Sequence, residues 1–241
     1  MKKNCLILML LFFTLFVRGQ YSFENFPAIK YKEYKNWKTE DSIETKDFIS
    51  RINYIPKFYN KLNSLTIKLT VFDSLEYTEI KIYKKNKEIQ KIIEKRMSII
   101  TEPTSVYVED INSDGLKDLK FLIPNYGCGN YNYYCEVFYL IQNKNGTFDK
   151  ISYSDIFIEY INRVERDFNN DGKFEIITQT FESYKKHNYW SFNIYNLKNG
   201  KFENVNNLAN YPILVPLDNY KMTTKISREK MKIFNRKSPT D

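Results

Sequence analysis

The stretch Val108-Glu109-Asp110-Ile111-Asn112-Ser113-Asp114-Gly115-Leu116-Lys117-Asp118-Leu119 decides how the chain is read, because it occurs twice. Glu165-Arg166-Asp167-Phe168-Asn169-Asn170-Asp171-Gly172-Lys173-Phe174-Glu175-Ile176 answers it 57 residues further on. Oxygen-bearing side chains fall at loop positions 1, 3, 5 and 9, as Asp110, Asn112, Asp114 and Asp118, then as Asp167, Asn169, Asp171 and Glu175. Position 6 is Gly115 or Gly172, and position 7 offers the backbone carbonyl of Leu116 or Lys173. A hard divalent cation such as calcium takes about six to eight oxygens, and a glycine turn gathers them around one point. Carboxylates crowded together without a cation repel one another. The spacing therefore predicts two calcium loops. The alternative is a pair of Asx-rich turns, which Asp, Asn and Gly close without metal. Neither copy carries the bidentate glutamate of an EF-hand at position 12, where Phe121 and Thr178 stand.

The flanks predict strands. Val106-Tyr107-Val108 enters the first loop, Leu119-Lys120-Phe121-Leu122-Ile123 leaves it, and Ile176-Ile177-Thr178 leaves the second. These runs are short, β-branched and aromatic. Tyr139 through Lys144-Asn145-Gly146-Thr147-Phe148 is answered by Tyr195 through Lys198-Asn199-Gly200-Lys201-Phe202. Each Asn-Gly reads as a hairpin turn with positive φ at both central residues. The repeat unit is strand, acidic turn, strand, loop, strand, Asn-Gly turn, strand, and a period of this length points to propeller-blade architecture.

Outward from the repeats, Leu65 to Val71 alternates as a half-buried strand, and Tyr77 to Tyr83 pairs with Glu88 to Ile93 around Lys84-Lys85-Asn86-Lys87. Lys46 to Leu62 is read as containing a short helix, interrupted by Pro56, and Met222 to Phe234 as a strand or a frayed basic helix. The chain has two alanines, Ala28 and Ala209, against 20 Tyr and 18 Phe, a composition that favours strands. The expected fold is all-β, mainly antiparallel, a β-propeller-like repeat with calcium-binding hairpin loops and a minor helix near the N-terminus. The expected division is a signal peptide at 1–19, a lead segment at 20–60, the β domain at 61–215 and a basic segment at 216–241.

Met1-Lys2-Lys3 followed by an apolar run from Cys5 to Val17 reads as a secretory signal, with cleavage after Gly19. The run is shorter than the roughly 20 residues of a membrane span, so no stable membrane insertion is expected after cleavage. Removal of residues 1–19 takes away Lys2, Lys3 and Arg18 and no acid, lowering the net charge from +8 to +5. Nothing reads as a nucleic-acid module. Periplasmic or secreted location is expected, and there Cys128 and Cys135, seven positions apart in numbering, are expected to form a disulfide.

That pair closes Pro124-Asn125-Tyr126-Gly127-Cys128-Gly129-Asn130-Tyr131-Asn132-Tyr133-Tyr134-Cys135. Tyr and Asn supply rigid amphipathic contact and adaptable hydrogen bonds, so Tyr126, Asn130, Tyr131 and Tyr133 are candidate contacts for a protein or cell-wall glycan partner. The alternative is an ordinary long loop covering a sheet edge. The single histidine, His187, excludes chemistry needing two, and no Gly-x-Ser-x-Gly elbow supplies a nucleophile. A two-carboxylate glycan hydrolase stays open at the level of composition.

The pattern Asp-x-Asn-x-Asp-Gly-x-x-Asp-Leu, followed by a hydrophobic strand and a later Gly-x-Phe, resembles the FG-GAP/VCBS-type repeats of exported β-propeller proteins. Residues 106–150 and 163–205 carry it. The order of elements also resembles small bacterial periplasmic calcium-binding proteins, similar in fold to lysozyme inhibitors, some of which serve as immunity proteins. The resemblance implies the metal residues named above and a non-catalytic binding role. It implies, as the alternative, inhibition of a peptidoglycan-cleaving enzyme, although the Ser-Gly inhibitory motif has no match in this chain.

Overall fold

The computed structural model describes residues 21–41, 48–72, 77–95, 103–124, 134–156, 163–198, 200–217 and 219–240. The protein is mostly antiparallel β, in three sheets. The first runs in chain order through β2 (Trp37–Asp41), β3 (Phe48–Asn60), β4 (Asn63–Phe72), β5 (Tyr77–Lys84) and β6 (Lys87–Glu94). The second is ordered β1 (Lys32–Tyr34), β7 (Val106–Glu109), β8 (Asp118–Pro124), β9 (Tyr134–Gln142) and β10 (Phe148–Ile156). In the third, β11 (Ile176–Tyr184) pairs with β12 (His187–Lys198), which pairs in turn with β13 (Lys201–Asn204) and β14 (Ile213–Pro216). Among the described residues no sheet closes into a barrel or a propeller; the strands form three open sheets. Among the same residues no helix is long and apolar enough to cross a membrane.

Strand alternation explains the layering. On β8, Leu119, Phe121 and Ile123 point into a core shared with Ile67, Leu69 and Ile80 of the first sheet, while Leu122 points the other way. On β9, Phe138 and Leu140 join the first core, while Val137, Tyr139 and Ile141 join a second that includes Ile176 and Leu197 of the third sheet. The second sheet is thus buried on both faces, and each of these side chains contributes roughly 1.5–3 kcal/mol by leaving water. The other face of the third sheet, through Ile177, Phe192 and Ile194, holds Phe23 of the N-terminal lead.

Three local expectations need correction. The helix placed within Lys46–Leu62 is the strand β3, where Arg51, Asn53 and Ile55 alternate inward. Pro56 falls at an irregularity between Ile55 and Asn60, where Lys57 takes φ 56° and the ladder asks no N–H of it. The only helical turn near the described N-terminus is a 3₁₀ turn, Ser22–Asn25. At Asn145-Gly146 only Gly146 is left-handed (φ 86°), and Asn143 N–H donates to the Thr147 carbonyl at 2.7 Å. This is a longer loop with glycine at its last position rather than a two-residue turn. Turns with two positive φ values are built instead by Lys85-Asn86 and Lys185-Lys186. Asn199 lies outside the described residues. The Met222–Phe234 segment forms one short helix, α1 (Arg228–Met231), continued by a 3₁₀ turn.

Candidate functional site

The two acidic loops adopt one conformation. Ser113 and Asn170 both have φ 59°, while Gly115 and Gly172 have 86° and 82°. A Cβ added at either glycine meets nothing within 4 Å, so the left-handed backbone alone accounts for the glycine. In the first loop, Asp110 accepts from Asp114 N–H at 2.9 Å and from Gly115 N–H at 2.8 Å. Asn112 Oδ1 accepts from Asp114 N–H at 3.2 Å, Asn112 Nδ2 donates to Asp114 at 3.0 Å, and Asp114 accepts from Leu116 N–H at 2.8 Å. The second loop repeats every one of these bonds, with Asp167, Asn169, Asp171, Gly172 and Lys173 in the matching places.

The repeat extends to the strands. Glu109 pairs with Asp118 in the second sheet, and 57 residues on, Arg166 pairs with Glu175. On the outer side, Val108 pairs with Lys32 of β1, and Arg166 pairs with Ala28. Each unit therefore borrows its outermost strand position from the N-terminal lead. One detail departs from the expected alignment. Leu119 pairs with Leu140, and Ile176 with Tyr195, so Leu140 rather than Tyr139 is the counterpart of Tyr195.

Position 9 differs in how it is used. Asp118, fully buried, accepts from Ile111 N–H at 2.9 Å and Asn112 N–H at 3.4 Å with one oxygen. Its other oxygen takes Gln142 N–H of β9 at 2.8 Å. Burial pushes this carboxyl up to about 7, and the three amides oppose the shift without cancelling it. Glu175 accepts from Phe168 N–H at 3.0 Å, and burial raises its pKa as well. At the exposed tip, the Lys173 amide and the Asn169 side chain hold Asp171 below the ordinary carboxylate range.

The donor set is all oxygen, the chemistry a hard cation requires. Its arrangement is that of self-satisfied turns, and among the described residues no three acidic, histidine or cysteine side chains converge as a metal cage. Each carboxylate oxygen of Asp110, Asp114, Asp167 and Asp171 that accepts one amide retains a second lone pair. Asp110, Asn112, Asp114 and the Leu116 carbonyl could hold a cation on the first loop; Asp167, Asn169, Asp171 and the Lys173 carbonyl could do so on the second. Asp118 and Glu175 tie the loop bases to the backbone.

The loops are braced differently. Lys117 Nζ donates to the carbonyls of Phe58 at 3.0 Å and Lys57 at 3.3 Å, so the first loop leans on the first sheet. The second leans on the N-terminal lead: Asp167 N–H donates to Pro27 at 2.9 Å, Arg166 to Phe26 at 2.7 Å, and Phe168 packs on Phe26.

A buried polar cluster beside the second loop carries no motif in the sequence. Glu165 accepts from Lys120 Nζ at 2.6 Å, from Tyr31 at 2.6 Å and from Tyr139. Burial would raise its pKa, but Lys120 and the two hydroxyls outweigh it and leave the carboxyl below its ordinary value. Burial, then the charge of Glu165, raises Tyr31 and Tyr139 well above 10. Beside it, Arg163 lies 3.2 Å from Asp155 and donates to Gln179 at 2.9 Å. Lys120 shares the face of β8 that carries Leu122, opposite Leu119, Phe121 and Ile123, and one-residue readings cannot show that this lysine and a glutamate 45 residues away share one core.

Tyr126, Cys128, Asn130, Tyr131 and Tyr133 lie outside the described residues, as does the signal segment. Cys135 is a buried, unbridged thiol of β9, and burial raises its pKa. His187 opens β12, exposed. Comparison of the chain with protein-family models, curated proteins and solved structures returns no match in any of the three.

Proposed function

We propose that this protein is an exported, calcium-binding, β-propeller-like binding protein of the bacterial envelope that acts by contact rather than catalysis. The reading is carried by one observation: the two acidic loops repeat bond for bond at a spacing of 57 residues. A turn that only reverses the chain needs no such fidelity at the three side chains of each tip. Calcium supplies a shared positive centre for carboxylates that otherwise face one another.

Blade-like stacking supports the FG-GAP/VCBS-like part of the reading. Val108, on the strand entering the first loop, points into the core shared with the preceding sheet. Glu165, its counterpart, reaches Lys120 and Tyr139 of the second sheet. Successive units thus stack in the same direction, as blades do. The partner is a protein or a cell-wall glycan.

The test pairs melting curves with binding. Calcium raises the melting temperature of the full chain and chelation lowers it, while sedimentation with purified peptidoglycan retains the protein. Inhibition of a lysozyme-type enzyme would narrow the role to an inhibitor or immunity protein. Cleavage of cell-wall glycan by the protein alone would overturn the non-catalytic reading in favour of a carboxylate-based hydrolase.

A further inference from the structure

A pocket of about 410 Å3 opens between the 3₁₀ turn Asn206–Leu208, the chain at Asn210–Pro212, and α1 with the turn after it. Its volume falls within the range of small-molecule sites. Asparagines and two cations, Arg228 and Lys232, line it, and no carboxylate does. The base is rigid: Asn206 Oδ1 accepts from Ile194 N–H at 2.8 Å, and its Nδ2 donates to Asn193 at 2.7 Å and to Asn235 Oδ1. This bond uses the oxygen of Asn235 and leaves its amide nitrogen as a donor. Asn207 and Asn210 are exposed at the rim, each presenting a donor and an acceptor.

Arg228 supplies the charge. It donates to the Pro212 carbonyl at 2.9 Å, and among the described residues no carboxylate pairs with it. Its guanidinium is half-buried and desolvation lowers its pKa, so an anion in the pocket would find a cation already partly stripped of water. Among the described residues Lys232 reaches only the exposed Glu229, at 2.8 Å. A guanidinium beside several amides suits a compact molecule bearing one oxyanion and several hydroxyls.

We propose that this pocket binds a small polyhydroxylated anion of the sugar-acid and sugar-phosphate class. The site uses no acidic-loop residue and stands whether or not those loops take calcium. It gives the third sheet a ligand of its own.

Calorimetric titration of the full chain with D-glucuronate, D-glucose 6-phosphate, D-glucose and inorganic phosphate tests this. One or both of the first two bind at least about tenfold more tightly than glucose and inorganic phosphate. Which of them binds identifies the oxyanion. Arg228→Gln weakens that binding about tenfold. Because Arg228 also holds Pro212, Asn210→Asp is the second variant: it places an acid at the rim, fits a left-handed residue, and weakens the anion without moving the melting temperature. The proposal is overturned if neither sugar anion binds at roughly 10 mM, if glucose or inorganic phosphate binds as tightly, or if Asn210→Asp leaves the affinity unchanged.

Discussion

The two acidic loops share a conformation and differ in what holds them. At the tip, side chains and backbone amides are matched residue for residue. At the base, Asp118 gathers three amides, one from a neighbouring strand, whereas Glu175 binds Phe168. Just before the loop, the first unit has Val108 in an apolar core, and the second has Glu165 in a buried ion pair. The tip is thus dictated by local backbone geometry, which any copy must satisfy. The base is dictated by whichever sheet it meets, and that differs between units.

The largest effect is expected where the units differ most. Lys120→Met leaves Glu165 buried with two hydroxyls and no cation, and is expected to cost about 3–5 kcal/mol in urea unfolding. Adding Glu165→Val, the residue that the first unit carries at this position, removes the buried charge and is expected to restore part of the loss, the Tyr31 and Tyr139 hydroxyls losing their acceptor. No restoration would mean that the two positions are not equivalent. Next, Asp118→Ala strands three amides and is expected to cost about 3 kcal/mol, against about 1–2 kcal/mol for Glu175→Ala. Equal losses would contradict the difference in base anchoring.

A smaller effect depends on pH. Burial pushes the Asp155 carboxyl from 3.8 up to about 6, outweighing Arg163 nearby and the amides of Gln179 and Ile156 that it accepts from. A folded pKa above the unfolded one gives a contribution fully present below about 3.8 and lost as pH rises through about 6. Measured against Asp155→Asn, the wild type is therefore expected to gain at most about 3 kcal/mol between pH 7 and pH 4. A pH-independent difference would show that Arg163 fully compensates the charge. The smallest effect tests the tips: Gly115→Ala and Gly172→Ala are each expected to cost about 1 kcal/mol, equally, because both meet open space and differ only in backbone strain. Unequal costs would break the equivalence of the loops.

What was legible followed from local pattern. The glycines at 115 and 172, the alternating strand Leu65–Val71, and the hairpin at Lys85-Asn86 were all readable from neighbours in sequence. Pro56 misled because proline marks a helix break and a strand bulge alike, and only the pairing with β4 distinguishes them. The Asn145-Gly146 turn was placed correctly, but its residue count depends on the cross-strand bond from Asn143 to Thr147. The position-9 acids fit the ligand spacing, and spacing does not reveal that Asp118 also gathers three backbone amides. Lys120 and Glu165 were invisible because buried charges leave no periodic signature when their partner lies on another sheet.

Calcium titration of the full chain by calorimetry tests the central claim most directly, with Asp114→Ala and Asp171→Ala each disabling one tip. Two sites in the wild type and one in each variant are the expected result. Heat that is absent, or unchanged in both variants, would contradict the account and leave the repeated loops as metal-free Asx turns.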